Sequence, residues 1–171
     1  MNQLFRWLSI LLFLAVISVG ACSTEDDVRA IRQLVSDGVR LSEEHEIGGL
    51  IKLATDDFEG LPGNLDRREI RRFLWLAFKR YEEFHILHPL PKVTLESEGR
   101  SASTAFPFLI VKKETTVPEL QGLYEDPQRW LEEVGKNADL YLIKLDLVKT
   151  DGNWLVKRAH LESFNRRSSN E

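Results

Sequence analysis

Cysteine is nearly absent from this 171-residue sequence, in which Cys22 is the single one. One cysteine forms neither an intramolecular disulfide nor a zinc site built on several thiolates. The four histidines are spread from His45 to His160 without the spacing of a zinc site, and no Gly-rich phosphate loop, G-x-S-x-G or H-E-x-x-H motif occurs. The sequence therefore predicts no metal site and no cofactor.

An excess of basic residues is also missing, since 23 Lys and Arg stand against 27 Asp and Glu, a net charge of −4. Residues 1–21 hold one of the basic residues and none of the acidic ones, so the chain from Cys22 onward has a net charge of −5. Without a basic excess the composition gives no electrostatic basis for attracting nucleic acid or anionic lipid. The length suits one domain.

One apolar run, Trp7–Val19, follows Arg6, which is the only charged residue before Glu25. The run matches the hydrophobic region of a signal peptide and is shorter than the roughly 20 residues of a bilayer span. The sequence Val-Gly-Ala-Cys at 19–22 resembles the lipobox of bacterial lipoproteins.

The lipobox resemblance implies a signal peptide over 1–21, cleavage between Ala21 and Cys22, and acylation of Cys22 by chains such as palmitate. Several acyl chains on one residue are enough for stable membrane anchoring. Because Ser23 rather than Asp follows the cysteine, the resemblance to Gram-negative lipoproteins implies the periplasmic face of the outer membrane. An ordinary signal peptide or a signal anchor is the alternative.

Helical periodicity dominates the next part of the chain. A helix capped by Ser23 or Thr24 and ending near 43–46 should bury one apolar stripe. A short helix is predicted over 47–54. Asp56 and Asp57 follow its end and should have capping or turn roles, and a turn should cover 60–63. The first stripe comprises Val28, Ile31, Leu34, Val35 and Val39.

The third helix begins at a capping box formed by Asp66 and Glu69. Its apolar stripe is Ile70, Phe73, Leu74, Ala77, Phe78 and Tyr81. Its basic residues lie mostly off that stripe, which indicates a solvated face or a patch for an acidic partner. They are Arg67, Arg68, Arg71, Arg72, Lys79 and Arg80.

Strands follow at 84–88, 92–98 and 102–112, and Pro107 predicts an edge position or a bulge in the last of these. Residues 113–137 predict a loop and a short helix over 127–134 that ends at Gly135 and faces Trp130, Leu131 and Val134 inward. Strands at 139–149 and 153–164 form the final hairpin around Asp151-Gly152. Residues 165–171 are a polar tail.

Helices followed by an antiparallel sheet of four to five strands favour the α+β class, as a single domain over 24–164. The final hairpin reads LDLVKTDGNWLVKRAHL, and its Asp-Gly-x-Trp-x-Val core resembles the nuclear-transport-factor-two-like superfamily. The resemblance implies N-terminal helices packed in a strongly curved sheet, a cone with a pocket. The superfamily includes ketosteroid isomerase, scytalone dehydratase and non-enzymatic modules, so the fold does not fix the function.

The final hairpin allows two registers, and a slip of one residue exchanges its faces. With a two-residue loop, Thr150 faces Asn153 and a pocket face forms from Tyr141, Arg158, His160, Glu162, Leu147, Trp154 and Val156. With a three-residue loop, Lys149 faces Asn153, and Arg158, His160 and Glu162 move beside Lys144 and Asp146 as a surface lattice. We favour the second register because its apolar side is cleaner. It leaves Leu140, Leu142, Trp154 and Val156 for a homodimer contact.

Catalysis in such a cone would need a carboxylate or histidine base and a hydroxyl donor. The candidates are His160 or an aspartate such as Asp57 as base and Tyr141 or Tyr81 as donor, with Asp56, His85 and His88 as weaker ones. The candidate pocket or interface residues are Tyr81, Tyr141, Trp154, Arg158 and His160. We expect a lipid-anchored envelope protein whose cone binds a small apolar ligand or an envelope protein without catalysis. An isomerase or dehydratase, or a structural subunit of an envelope complex, is the alternative.

Overall fold

The computed structural model describes residues 19–96, 99–112 and 138–163. The predicted helix over 127–134, with Trp130, Leu131, Val134 and Gly135, and the polar tail lie outside the described residues. The helices are α1 (Val19–Glu43), α2 (Ile47–Lys52) and α3 (Arg67–Tyr81). The strands are β1 (Ala54–Leu61), β2 (Phe84–Leu87), β3 (Val93–Leu95), β4 (Ser101–Lys112), β5 (Ala138–Thr150) and β6 (Asn153–Ser163).

The strands form one six-stranded sheet in the order β1-β6-β5-β4-β2, with β3 also paired to β4. β1 runs parallel to β6, and the other pairs are antiparallel. The predicted α+β class is confirmed, with one strand more than expected because β1 was read as the end of a helix.

Pro107 lies where its missing N–H costs least. It faces Leu142 of β5, and on the other side of β4 it falls between the segment paired with β3, up to Thr104, and the segment paired with β2, from Leu109. This locally free edge is the position that the sequence predicted for a proline within a strand.

A β-bulge at Lys157 makes each of the two predicted hairpin registers half right. Near the turn, Thr150 faces Asn153, so the loop has two residues and the favoured three-residue loop is wrong. Beyond the bulge, Asp146 faces Arg158, which places Arg158 and its neighbours on the face that the three-residue register predicted. The extra residue in β6 exchanges the faces partway along the strand.

The core lies between α1 and the sheet face that carries Leu145 and Leu147, which we call the inner face. Ile31 of α1 has no exposed surface, and Leu147 is 1% exposed. The buried cluster comprises Ile31, Leu34, Val35, Phe58, Ala102, Phe106, Leu145, Leu147, Trp154 and Val156. Trp154 and Val156 are thus core residues, and their predicted place in a dimer contact on the outer face is wrong.

α1 begins at Val19, so the predicted cap at Ser23 or Thr24 is wrong. The helical hydrogen bonds continue through this region because the sequence between Ala21 and Thr24 contains no proline or glycine to break them. Asp27 is consequently placed a turn further into the helix than the sequence predicted, and its carboxylate serves a tertiary contact described below.

Asp56 and Asp57 lie in β1, and their predicted place at a helix end is wrong. α2 stops at Lys52, and the Leu53 carbonyl then accepts a 2.9 Å hydrogen bond from the Val156 amide. Pairing with β6 draws this segment into the sheet, a tertiary effect that overrides local helix propensity.

α3 starts at the predicted capping box, with Asp66 accepting from the Glu69 amide and the Glu69 carboxylate accepting from the Asp66 amide. Its inward stripe is only partly as predicted, because Phe78 is buried while Phe73 remains 45% exposed. Among the described helices, none has the length and hydropathy needed to cross a membrane.

Candidate functional site at the cone mouth

Tyr81 and Tyr141, two predicted pocket residues, meet at the end of the cone where α3 ends and β5 begins, which we call the mouth. Their hydroxyl oxygens are 2.8 Å apart. The Tyr81 hydroxyl also donates to Oδ2 of Asp139 at 2.6 Å. Asp139 and Tyr141 share a face of β5 because side chains two residues apart along a strand point the same way. These three side chains form the tyrosine–aspartate cluster.

Aromatic contacts fix both rings of the cluster. Tyr81 meets Phe84 edge to face, with ring centroids 5.9 Å apart. Tyr141 stacks on Phe108 at 5.4 Å, and these two residues are direct partners in the β4–β5 register. Packed rings hold the hydroxyl groups in place, which is a condition for specific recognition.

The protons of the cluster can be counted. Each hydroxyl supplies one proton. If Tyr81 donates to Asp139, the hydrogen bond between the two hydroxyl groups is donated by Tyr141. Both protons are then used inside the cluster, and the capacity left at the mouth is that of the carboxylate oxygens of Asp139 to accept. The cluster as built suits a partner that donates hydrogen bonds, not an oxyanion.

Burial raises the pKa of the Tyr81 hydroxyl well above its ordinary value, and its hydrogen bonds to Asp139 and Tyr141 raise it further. Burial disfavours the charged phenolate, and a neighbouring carboxylate disfavours it as well. Tyr81 therefore remains a neutral donor across the physiological pH range.

Trp154, another predicted pocket residue, lies at the opposite end of the inner face, beside the β5–β6 turn, which we call the hairpin end. Its indole N–H donates to Oδ1 of Asp27 at 3.0 Å, and the Lys149 ammonium bonds the same oxygen at 2.5 Å. The Lys149 hydrogen bond lowers the pKa of Asp27 against the opposing effect of burial, and the Trp154 hydrogen bond lowers it further. These contacts fasten α1 to the sheet.

Arg158 and His160 lie on the other face of the sheet, the outer face, as the favoured register predicted. Arg158 pairs with Glu59 at 3.0 Å and with Asp146 at 3.2 Å. Further along the strand, Nδ1 of His160 lies 3.7 Å from Glu162, which pairs with Lys144 at 2.7 Å. These residues form a solvated lattice, and the sheet separates them from the mouth.

Asp57 lies on exposed β1, 3.4 Å from the Lys157 ammonium. The neighbouring Thr55 hydroxyl and the Lys157 charge hold its pKa below the ordinary value. His85 lies 3.6 Å from Glu43, and Nδ1 of His88 lies 2.8 Å from the Pro89 carbonyl oxygen. Within the described ranges, neither Asp57 nor the two histidines hydrogen-bond to the tyrosine–aspartate cluster. Among the described residues, no group of three or more potential ligands could hold a metal ion.

Asp139 is the residue of the cluster that sequence reasoning did not select. The signal available was its spacing of two residues from Tyr141, which places both on one strand face. That signal is weak, because it does not reveal that Tyr81 meets the same face from a helix 58 positions away.

Two clefts lined by described residues lie outside the cone. A groove of about 510 Å³ between α2 and α3 is lined by Ile47, Arg71, Arg72, Trp75 and Leu76. A second cleft of about 670 Å³ lies beside β1 and β6 and is lined mainly by polar residues such as Lys52, Asp56, Thr150 and Lys157.

No protein-family profile and no curated protein sequence matches the chain. Several solved structures resemble it. Hexachlorocyclohexane dehydrochlorinase LinA-type3 from Novosphingobium barchaimii aligns with a TM-score of 0.61 and 12% identity, over 84% of this chain and 90% of that one. A nuclear-transport-factor-two-like protein with a cystatin-like fold from Novosphingobium aromaticivorans aligns with a TM-score of 0.59 and 14% identity, over 98% of this chain and 94% of that one.

Bd1075 from Bdellovibrio bacteriovorus aligns with a TM-score of 0.58 and 9% identity, over 81% of this chain. This chain spans only 41% of the length of Bd1075. At such low identities the likeness concerns the fold alone. The chain has the cone fold of nuclear-transport-factor-two-like and cystatin-like proteins.

Proposed function

We propose that this protein is a lipid-anchored protein of the cell envelope whose cone mouth binds a ligand or a protein segment without catalysing its conversion. The observation that carries the binding proposal is the tyrosine–aspartate cluster, in which the Tyr81 hydroxyl donates to Asp139 and the Tyr141 hydroxyl then donates to the Tyr81 oxygen. A binding site with a fixed acceptor and flanking aromatic rings recognises an apolar group that carries an N–H or O–H donor.

The packed core supports binding at the mouth in preference to binding deep inside the cone. Leu147 and Ile31 are at most 1% exposed, and they pack with the other members of the core cluster between α1 and the sheet. Protein interiors packed in this way leave no room for a ligand without side chains moving. The ligand would therefore contact Phe108, Tyr141 and Asp139 from outside the core.

The anchor proposal is supported by the sequence from Val19 to Ser23 and by the start of α1. Because α1 includes Cys22 and is fixed to the sheet from Asp27 onward, acyl chains on Cys22 would join the folded domain without a flexible linker. The test is globomycin treatment or a Cys22→Ser substitution, followed by membrane fractionation. We expect accumulation of unprocessed precursor, and unchanged gel mobility with unchanged fractionation would contradict the anchor.

The mouth is tested by native mass spectrometry of the protein purified from its own membranes. We expect a bound adduct on the wild type that is lost in Asp139→Asn. The matched control is Asp146→Asn, which removes a carboxylate on the outer face of the same strand. Equal retention in both variants, or no adduct on the wild type, would contradict binding of a small ligand at the mouth.

An isomerase or eliminating enzyme is the second candidate, and one observation favours it. Asp139 is a carboxylate held next to two phenols, which are the kinds of groups that general acid–base catalysis uses. The solved structures that resemble the chain include a dehydrochlorinase. In this version Asp139 removes a proton from the substrate and Tyr141 turns to donate to the developing negative charge.

The two candidates differ in one measurable respect. Turnover requires Tyr141 to leave its hydrogen bond with Tyr81, whereas binding retains it. If the site only binds, the ligand that mass spectrometry identifies should be recovered chemically unchanged. Recovery of a converted product, lost in both Asp139→Asn and Tyr141→Phe, would favour catalysis.

A further inference from the structure

The outward face of α3 combines exposed apolar side chains with cations, and nothing in the site above uses it. We define this face by Arg68, Arg72, Trp75, Leu76 and Lys79, which recur at helical spacing opposite the stripe that contains Leu74 and Phe78. Trp75 is 55% exposed and Leu76 is 60% exposed. Large apolar side chains exposed side by side on a helix indicate a contact surface.

The cations of this face have no carboxylate partner among the described residues. Arg67, at the start of α3, pairs with Asp56, but no carboxylate in the described ranges lies within 4.0 Å of Arg68, Arg72 or Lys79. The Lys79 ammonium lies 5.2 Å from the centre of the Trp75 ring. α3 holds six basic residues and one acidic residue, in a chain whose net charge is −4.

The groove between α2 and α3 extends this face. Its floor is formed by Ile47, Trp75 and Leu76, and Arg71 and Arg72 lie on it as well. An apolar floor beside guanidinium groups fits a molecule with an apolar part and an anionic part. Trp, Leu and Arg on one helix face are the residue types by which amphipathic helices lie in the headgroup region of a membrane.

The position of the anchor supplies a second, independent reason, and this step rests on the proposed function. Asp27 follows Cys22 by five positions of α1, which is about 8 Å of helix. Since Asp27 is fixed to Trp154 and Lys149, a domain held by acyl chains on Cys22 lies directly against the bilayer. One surface of the domain must then face the lipid headgroups.

We propose that the outward face of α3 docks on an anionic phospholipid bilayer, with Trp75 and Leu76 at the headgroup level and the arginines on the phosphates. An anionic surface repels the acidic remainder of the chain, whereas it attracts each basic residue that lies near it. Cys22 and the end of α1 at Glu43 are about 32 Å apart along the helix. Just beyond the end of α1, His45 stacks on Phe78 of α3 at 4.8 Å. Membrane contact at Cys22 and at the outward face of α3 therefore lays α1 along the membrane.

The test uses the acylated full-length protein in vesicles of phosphatidylcholine, with and without about 30% phosphatidylglycerol as the anionic lipid. Brominated lipids quench tryptophan in the headgroup and upper acyl region. The contribution of Trp75 is the part of the quenching that Trp75→Phe removes, and we expect that part to increase with phosphatidylglycerol and to fall at least threefold in Arg71→Gln/Arg72→Gln. Arg158→Gln, on the outer face of the sheet, should leave it unchanged.

The failures are separable. An acylated protein that sediments with vesicles while Trp75 stays unquenched, or is quenched equally without phosphatidylglycerol, overturns the docking proposal alone. An unmodified mass at Cys22 overturns the anchor, and phosphatidylglycerol-dependent sedimentation then still decides the docking. Trp75 unquenched in vesicles but cross-linked to a protein in native membranes would reassign the face to an acidic protein and overturn the lipid proposal.

Discussion

The hairpin end and the mouth of the cone use the same kinds of side chain for different purposes. At the hairpin end, Asp27 is 9% exposed and binds Trp154, which is 6% exposed. At the mouth, Asp139 is exposed and binds the half-buried Tyr81. A buried carboxylate that accepts from both an ammonium and an indole N–H stabilises the fold, whereas an exposed carboxylate held by a fixed hydroxyl donor keeps acceptor capacity for a partner. Burial thus separates a structural cluster from a candidate site.

The largest expected effect comes from breaking the cluster at the hairpin end. Asp27→Ala leaves Lys149 and the Trp154 indole N–H without their partner, and we expect the free energy of unfolding to fall by about 3 kcal/mol. Urea denaturation measures it. Asp26→Ala is the matched control, because Asp26 is exposed and pairs only with Arg29 at the surface. Equal effects of the two substitutions would remove the structural role of Asp27.

The next effect concerns pH. Because the pKa of Asp27 is lower in the folded state than in the unfolded chain, its contribution to stability is present above pH 3.8 and is lost as the pH falls through the folded value. We expect the wild type to lose stability in acid more steeply than Asp27→Asn. Denaturation between pH 6 and pH 2 measures the two slopes, and parallel curves would contradict the assignment.

At the mouth, a substitution should affect binding more than stability. Tyr81→Phe keeps the ring against Phe84 and removes the hydroxyl that orients Asp139, so the free energy of unfolding should fall by only about 1 kcal/mol. Thermal denaturation measures this loss, and native mass spectrometry measures the adduct. A loss as large as that of Asp27→Ala would mean that the mouth is also part of the structural core.

The smallest effect is expected on the outer face. Arg158→Gln removes two ion pairs between exposed side chains, and we expect little change in the free energy of unfolding because water screens them. The salt dependence of unfolding should change little. A loss of stability as large as that of Asp27→Ala would show that these ion pairs are essential to the fold.

Local features of the fold were predictable, and features that depend on distant pairing were not. The capping box at Asp66 and the turn at Asp151-Gly152 follow from short-range chemistry. The bulge at Lys157 does not, because it depends on how β5 and β6 pair. β1 was missed because β6 supplies its pairing.

The candidate site was half predictable for the same reason. Tyr81 and Tyr141 were selected as pocket residues, but their contact joins a helix end to a strand 60 positions away. Asp139 was missed because only the three-dimensional arrangement places it under the Tyr81 hydroxyl. His160 and Arg158 were drawn into the candidate list by a register that holds only near the turn.

The most direct test of the account replaces Phe108, beside Tyr141 at the mouth, with p-benzoylphenylalanine and irradiates living cells. Leu142 is the matched control, since it follows Tyr141 directly in β5 and lies on the outer face, on the opposite side of the sheet. We predict a cross-linked adduct at position 108 and none at position 142. An adduct at position 142 alone, or at neither position, would contradict recognition at the mouth.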